Sequence, residues 1–319
     1  MKSFWKCLYY VLCVLGCLLG AGFISGAEVV TFFVKFEYWG IGGIILSSVL
    51  FAIAVYKNSK PMIDQEECKN RINFLPYCQL FISGAMFAGL SKIISQLLGV
   101  SIYWIILAAG ILLYISIVLG IKFANIFNLV VSVATIIILP FVATNIGVEK
   151  FNFGFQFKLF SSSIYAVLYA IINIVACMPI IKNIQHKYSK GVGVASGIIS
   201  ALLLGVIYLI LSTNKVGSDM PILALLDSKI LSAIYTIIFV VAMLSTMLSA
   251  SSGAKQIFNK LQDKKLASLC TALAVVSIGF CGFGSIINYA YPLIGVAFLI
   301  EILFNKMYIR AQKTQKITK

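Results

Sequence analysis

The sequence predicts an all-α polytopic membrane protein with ten transmembrane helices, and three observations lead to that fold class. Hydrophobic residues make up 61% of the 319 positions and charged residues 11%, a composition outside the range of soluble domains. The apolar residues form separate runs of the length that crosses a bilayer. The basic residues lie between those runs rather than on one face, so the net charge of +15 predicts membrane orientation and no nucleic-acid partner.

Charged or turn-rich breaks delimit ten apolar windows, and we interpret each window as one span. Their approximate bounds are 7–34, 39–56, 75–98, 101–120, 123–146, 160–181, 191–212, 230–253, 267–283 and 286–304. The segment between 213 and 229 is compatible with either a short helix over the outer side or a plain connecting loop. Because each span would cross a membrane, the lipid bilayer is the first partner that the sequence predicts.

The basic residues test this count, because short cytoplasmic loops carry an excess of Lys and Arg. With the N-terminus inside and ten spans, most of the 25 basic residues lie in the cytoplasm and Lys92 lies within the third span. The basic residues that remain outside are Lys35, Lys150, Lys158, Lys215 and Lys229. Removing or adding one span destroys this bias, so we predict that both chain ends are cytoplasmic.

The first span contains an unusual run of small residues, Gly20-Ala21-Gly22-Phe23-Ile24-Ser25-Gly26-Ala27-Glu28. Glycine disfavours a continuous helix, and non-helical backbone at membrane depth survives only inside protein or beside an aqueous cavity. Interrupted helices of this kind form the substrate and ion sites of many secondary transporters. The alternative interpretation is a close helix contact through small residues.

Ten spans divide into two halves of five, which gives the second half an inverted topology. We predict one transmembrane domain over residues 1–319, with repeat one at about 1–146, repeat two at about 160–304 and a basic tail at 305–319. The sixth span then corresponds to the first, and its Tyr169, Asn173 and Pro179 predict a second interrupted helix. A kinked but continuous helix, with Asn173 bonded to a neighbour, is the alternative.

Polar groups within spans are the candidates for function. In the eighth span Ala242, Ser245 and Thr246 have the spacing of one helix face, and two hydroxyls with a nearby carbonyl are ligands that suit a small alkali cation. Back-bonding of those hydroxyls to their own helix is the alternative. Glu28 lies at membrane depth and needs a partner, a proton or a cavity. Lys92 either extends to the outer interface or pairs with Glu28.

An enzyme is not expected, because no catalytic or metal-binding spacing occurs among the eight cysteines and the single histidine, His186. We therefore predict no cofactor, apart from a coupling ion.

The small-residue run resembles the signature of the YkvI-like bacterial membrane proteins, within the amino acid–polyamine–organocation transporter superfamily. The resemblance covers nearly the whole chain. It continues through residues 83–89, Gly120-Ile121-Lys122 with Asn128 and Pro140, Tyr169-x-x-x-Asn173 and the hydroxyl-rich eighth span. The chain departs from the family at Ala27, where glutamine is common, and Lys92 is also unusual.

This resemblance implies a LeuT-type fold, with two five-helix inverted repeats around a central site, in a bacterial cytoplasmic membrane. It implies a sodium site made by the carbonyls of Gly16, Leu19 and Ala242 and the hydroxyls of Ser245 and Thr246. The substrate-binding residues that we predict are Gly20, Ala21, Gly22, Phe23, Ser25, Glu28, Ser83, Met86, Tyr169 and Asn173.

Three functions are compatible with these features. The first is a secondary active transporter that carries an amino acid or related small solute together with sodium, by alternating access. The second is a proton-coupled permease in which Glu28 titrates. The third is a membrane receptor subunit that senses a solute without net transport.

Overall fold

The structure is a computed structural model that describes residues 2–59, 74–147, 158–214, 218, 220–282, 286 and 293–301. All regular secondary structure in that part of the chain is helical. The α-helices are α1 (Lys2–Leu18), α2 (Ala21–Ser25), α3 (Ala27–Phe32), α4 (Trp39–Asn58), α5 (Leu75–Leu98), α6 (Ile102–Leu119), α7 (Ile121–Ile146), α8 (Leu159–Ile181), α9 (Ser189–Thr213), α10 (Pro221–Ala224), α11 (Lys229–Ala254) and α12 (Lys264–Gly279). Short 3₁₀ helices occupy Val34–Phe36, His186–Tyr188 and Lys255–Phe258.

Seven of these helices, α4 to α9 and α11, are long and apolar enough to cross a membrane. The chain is thus an all-α, multi-pass membrane protein. The first predicted span consists of α1, α2 and α3, none of which is long enough by itself. The ninth is α12, of 16 residues, and the tenth is described as helix only over 293–301. The count of ten spans stays a prediction.

The predicted interruption of the sixth span is wrong. Helix α8 is continuous from Leu159 to Ile181, and Pro179 lies in its last turn. A proline there leaves the Val175 carbonyl without its helical donor, and the side-chain amide of Gln79 donates to that carbonyl at 3.0 Å. The side chain of Asn173 donates to the carbonyl of Tyr169 at 3.0 Å, so its polar group is bonded within the helix and needs no break.

The helices pack in a pattern that joins the two predicted halves. Helix α4 packs against α8 and α9, while α5 packs against α11 and α12. Small residues allow the close approaches, since a Cβ at Gly193 or Gly197 on α9 would contact Ala52 on α4 at 2.7 Å. Equivalent spans of the two predicted repeats, the second with the seventh and the third with the eighth, are therefore direct neighbours. The repeat itself stays a prediction.

The outer surface of α6 shows how the bundle meets its solvent. Tyr103, Trp104, Leu107 and Ile111 are all more than half exposed, whereas Leu113 on the opposite face is fully buried. An exposed apolar face of this kind is what a lipid-facing helix requires, because the hydrocarbon, rather than water, surrounds it.

Candidate functional site

The first predicted span is interrupted twice. The first interruption lies at Gly20, where the glycine-rich run begins and where the sequence predicts a break. Helix α1 ends at Leu18, and Gly20 is extended with φ −68° and ψ 180° before α2 begins. Gly26 then separates α2 from α3 with φ +83°, a left-handed conformation that favours glycine. The predicted interruption of the first span is confirmed, and helix ends of α1, α2 and α3 lie within this span.

The second break is held by contacts from several elements. The hydroxyl of Ser25 donates to the Gly22 carbonyl and accepts the amide of Ala27, both at 3.2 Å. Tyr235 of α11 donates to the Ile24 carbonyl at 2.6 Å. Ser25, predicted to contact substrate, is thus bonded within its own turn and shapes the backbone at this site.

Helix α11 meets α1 immediately before the first break. The Ser245 hydroxyl lies 3.0 Å from the Gly16 carbonyl, and the Thr246 hydroxyl donates to the Cys17 carbonyl at 3.2 Å. A Cβ placed on Gly20 would come within 2.8 Å of the Thr246 hydroxyl, so the extended residue lies directly against it. Three predicted sodium ligands, Gly16, Ser245 and Thr246, therefore lie together.

The other two predicted ligands, Leu19 and Ala242, are both fully buried, and Leu19 directly precedes Gly20 in the chain. Ala242 precedes Thr246 by one helical turn on α11. The contact of Thr246 is with the carbonyl of Cys17, a residue that the predicted ligand set does not contain.

Asn128 of α7 joins the same cluster. Its side-chain oxygen lies 2.7 Å from the Ser245 hydroxyl, and its side-chain nitrogen donates to the Ser249 hydroxyl at 3.0 Å. A Cβ at Gly16 would overlap the Asn128 backbone, which brings α1 and α7 into close contact. Asn128 is absent from the predicted site residues, although a buried asparagine within an apolar span is the signal that could have identified it.

Glu28 points back across the second break toward Gly22. A Cβ at Gly22 would overlap the Glu28 carboxylate, so only glycine leaves room for this side chain. Tyr169 of α8 lies beside the helix that carries Glu28, because its ring centroid is 5.5 Å from that of Phe32, one turn after Glu28 on α3. The structure therefore brings together the predicted residues Gly22, Glu28 and Tyr169.

Lys92 does not pair with Glu28. Its side chain is exposed on α5, as expected for a lysine that extends to the interface, and Glu28 is buried.

The remaining predicted substrate residues lie in different places. Ser83 of α5 donates to the Met247 carbonyl of α11 at 3.1 Å and so joins two helices. Met86 and Phe23 are buried in the common core. Ala21 is the first residue of α2.

Asn173 and Tyr169 line a small cavity of about 10 Å³ between α1, α4, α8 and α9, together with Ser47, Ser48 and Ser200. That volume is near the least that holds one water molecule. The predicted substrate set is thus divided between the break, this cavity and the α5–α11 interface.

Comparisons with known proteins support the fold. The chain is similar to the solved structure of Mhp1, a nucleobase-cation-symport-1 family transporter, in a closed conformation with bromovinylhydantoin bound. The TM-score is 0.58 at 14% sequence identity, over 90% of this chain and 74% of that one. No family model matches the sequence, and no curated protein matches it either. At this identity the likeness shows a shared fold and leaves the function, the substrate and the coupling ion open.

Proposed function

From the fold shared with Mhp1, we propose that this chain is a secondary active transporter, coupled to sodium, for an amino acid or a related small solute. The fold and the broken first span support the transport class, because discontinuous helices place free backbone groups at the membrane midplane. The YkvI-like resemblance is part of this proposal, and so is the bacterial cytoplasmic membrane.

The contact of the Ser245 and Thr246 hydroxyls with the carbonyls at the end of α1 carries the sodium proposal. Hydroxyl and carbonyl oxygens are hard, neutral ligands, and the C-terminal end of a helix directs its negative pole toward this cluster. A sodium ion held by Gly16, Leu19, Ala242, Ser245 and Thr246 would replace the direct α1–α11 hydrogen bonds. Asn128 supplies a further oxygen beside Ser245.

Such an ion would couple binding to motion. Helix α1 packs with α7 and α9, and α11 packs with α5 and α7, so the cluster joins different parts of the bundle. Occupancy would hold α1 and α11 at one distance, and release of the ion would permit them to separate. The substrate would then bind at the neighbouring break, where the first amides of α2 lack helical partners.

The experiment is a sodium titration of the purified protein by thermal unfolding, at constant pH and ionic strength, with choline replacing sodium. Sodium should raise the Tm of the wild type. Thr246→Ala should weaken apparent sodium affinity about tenfold or more, because a hydrogen bond or contact to a charged group contributes on the order of 1.5–3 kcal/mol. Thr246→Ser retains the oxygen and should preserve most of the response.

Ser252→Ala is the matched control, because the Ser252 hydroxyl donates within its own helix, to Ser249 at 2.7 Å, and takes no part in the cluster. Equal sodium dependence in the wild type and Thr246→Ala would exclude this site. If sodium has no effect on the wild type but ligand uptake follows a proton gradient, the proton-coupled alternative replaces the sodium proposal. The buried Glu28 favours that alternative over a passive pore. Ligand binding without flux in proteoliposomes would indicate a receptor.

A further inference from the structure

The Glu28 carboxylate has no polar partner among the residues that the structure describes. Glu28 is 6% exposed, and neither a hydrogen bond nor an ion pair reaches its carboxylate from those residues. An isolated carboxylate at membrane depth is costly, so such groups are paired, protonated or in contact with a ligand. No polar contact within the described part of the chain explains why an acid stands at this position.

A second polar group beside Glu28 also lacks a partner. The Tyr169 hydroxyl is buried and makes no hydrogen bond in the described part of the chain. The amide of Asn173 lies near this hydroxyl but donates to the Tyr169 carbonyl instead, at 3.0 Å. Buried polar groups are almost always hydrogen-bonded, so two neighbouring groups that lack a partner among the described residues point to a binding position for a third group beside them.

Aromatic rings form one side of this position. Phe32 follows Glu28 by one turn on the same face of α3, and its ring centroid lies 5.5 Å from that of Tyr169. The ring of Phe33 meets Tyr169 edge-on at 4.9 Å. Aromatic faces attract cations and repel anions, as the carboxylate also does.

Three lysines, Lys35, Lys158 and Lys92, are candidates to neutralise Glu28, and each has other surroundings. The ammonium of Lys35 lies 3.4 Å from the centroid of the Tyr165 ring, and Lys158 forms an ion pair with Glu37 at 3.4 Å. Because Lys92 is exposed on α5, it does not supply the charge either. These three side chains therefore do not supply a counter-ion for Glu28.

We propose that Glu28 binds the ammonium group of an amine-bearing substrate, with the Tyr169 hydroxyl as a second polar contact and the rings of Phe32 and Phe33 beside it. An ammonium group has three donors, which suits a carboxylate and a phenol oxygen at once. The inference rests on the proposed transport function and defines the charge class of its substrate. Glu28 then acts as the specificity-determining residue of the break.

The test is a ligand screen of the purified full chain by thermal unfolding. The probes are the twenty protein amino acids, the amines formed by their decarboxylation and the acids formed by their deamination, each added singly in saturating sodium. Compounds with an amine should raise the Tm, and the matching deaminated acids should not. Glu28→Gln should weaken the binding of the best amine probe at least tenfold.

Two further variants separate recognition from folding. Glu28→Gln removes an unpaired buried charge, so its Tm without ligand should equal or exceed that of the wild type. Tyr169→Phe keeps the ring and removes a hydroxyl that has no partner, so it should weaken amine binding several-fold without lowering stability. Glu37→Gln, at the carboxylate paired with Lys158, is the matched control and should bind the amine as the wild type does.

Three results would overturn the inference. They are equal binding of deaminated acids and amines, unchanged amine affinity in Glu28→Gln, and the absence of any amine that binds. Flux in proteoliposomes tests the proposed function separately. Sodium-driven uptake of a solute without an amine would refute this inference and support the transport function. Glu28-dependent amine binding without flux would support this inference and refute the transport function.

Discussion

At the residue scale, glycine determines what can approach the break in the first span. Gly16 admits the α7 backbone at Asn128, Gly20 admits the Thr246 side chain, and Gly22 admits the Glu28 carboxylate. Each of these contacts joins a different part of the bundle to the same short stretch of α1 and α2. A side chain at any of the three would separate the groups that we propose to bind ion and substrate.

Gly22→Ala tests this at the substrate site. The added methyl group overlaps the Glu28 carboxylate and forces it to move. We expect ligand affinity to fall about tenfold or more, since overpacking costs on the order of 1–3 kcal/mol. The measurement is the ligand-induced rise in Tm, with the protein still extracted as a folded monodisperse species.

Gly205→Ala on α9 is the control, because a Cβ there meets no atom within 4 Å. Wild-type ligand affinity in Gly22→Ala would place the pocket elsewhere in the bundle.

At the element scale, the first and sixth spans differ in how their polar groups are satisfied. The first changes direction at Gly20 and Gly26 and needs Tyr235 and Ser25 to bond the exposed backbone. Helix α8 retains its own hydrogen bonds and uses Asn173 within the helix. This difference indicates that, of the two spans, the first one presents the backbone groups that lack helical partners.

Gly26→Ala tests the second break. At φ +83° an alanine is strained by about 1–2 kcal/mol, and its Cβ would also meet Leu211 at 2.6 Å. We therefore expect a lower Tm in thermal unfolding of the ligand-free protein.

Gly42→Ala in α4 is the comparison, because the helix interior there has open space, and alanine should stabilise it by about 0.5–1 kcal/mol. If both variants had the same Tm, the left-handed turn at Gly26 would not exist in the membrane.

At the scale of the whole molecule, two of the basic residues that the sequence predicts to be outside, Lys35 and Lys158, lie at one end of the bundle. Lys158, at the start of α8, pairs with Glu37, which follows the 3₁₀ helix that contains Lys35. The Tyr208 hydroxyl of α9 donates to the Glu37 carbonyl at the same end. These contacts join the beginning of the second predicted repeat to the end of the first span.

The orientation is tested by cysteine labelling in intact cells. In a cysteine-free background, single cysteines at Lys35, Asn152 and Ser218 should react with an impermeant maleimide, because few basic residues lie on that side. A background that restores native Cys68 should be protected until the cells are lysed. Labelling of Cys68 from outside would reverse the predicted orientation.

The sequence alone was sufficient for properties that depend on local composition. Hydropathy predicted α5 at its observed bounds, Leu75–Leu98, and most other spans to within a few residues. The glycine spacing identified the break at Gly20, because three glycines and a serine within seven residues are poor material for a continuous helix. Helical spacing, with Ser245 and Thr246 three and four residues after Ala242, placed these hydroxyls on one face of α11.

Only the tertiary structure decided which partner each polar group has. Asn173 bonds within α8, Ser83 bonds α11, and Asn128 joins the Ser245 cluster from a residue 117 positions away in sequence. That Glu28 has no polar partner among the described residues is equally invisible in the sequence. Hydrogen bonds of buried groups are set by which helices become neighbours, and that choice depends on packing between distant segments rather than on the residues beside each group.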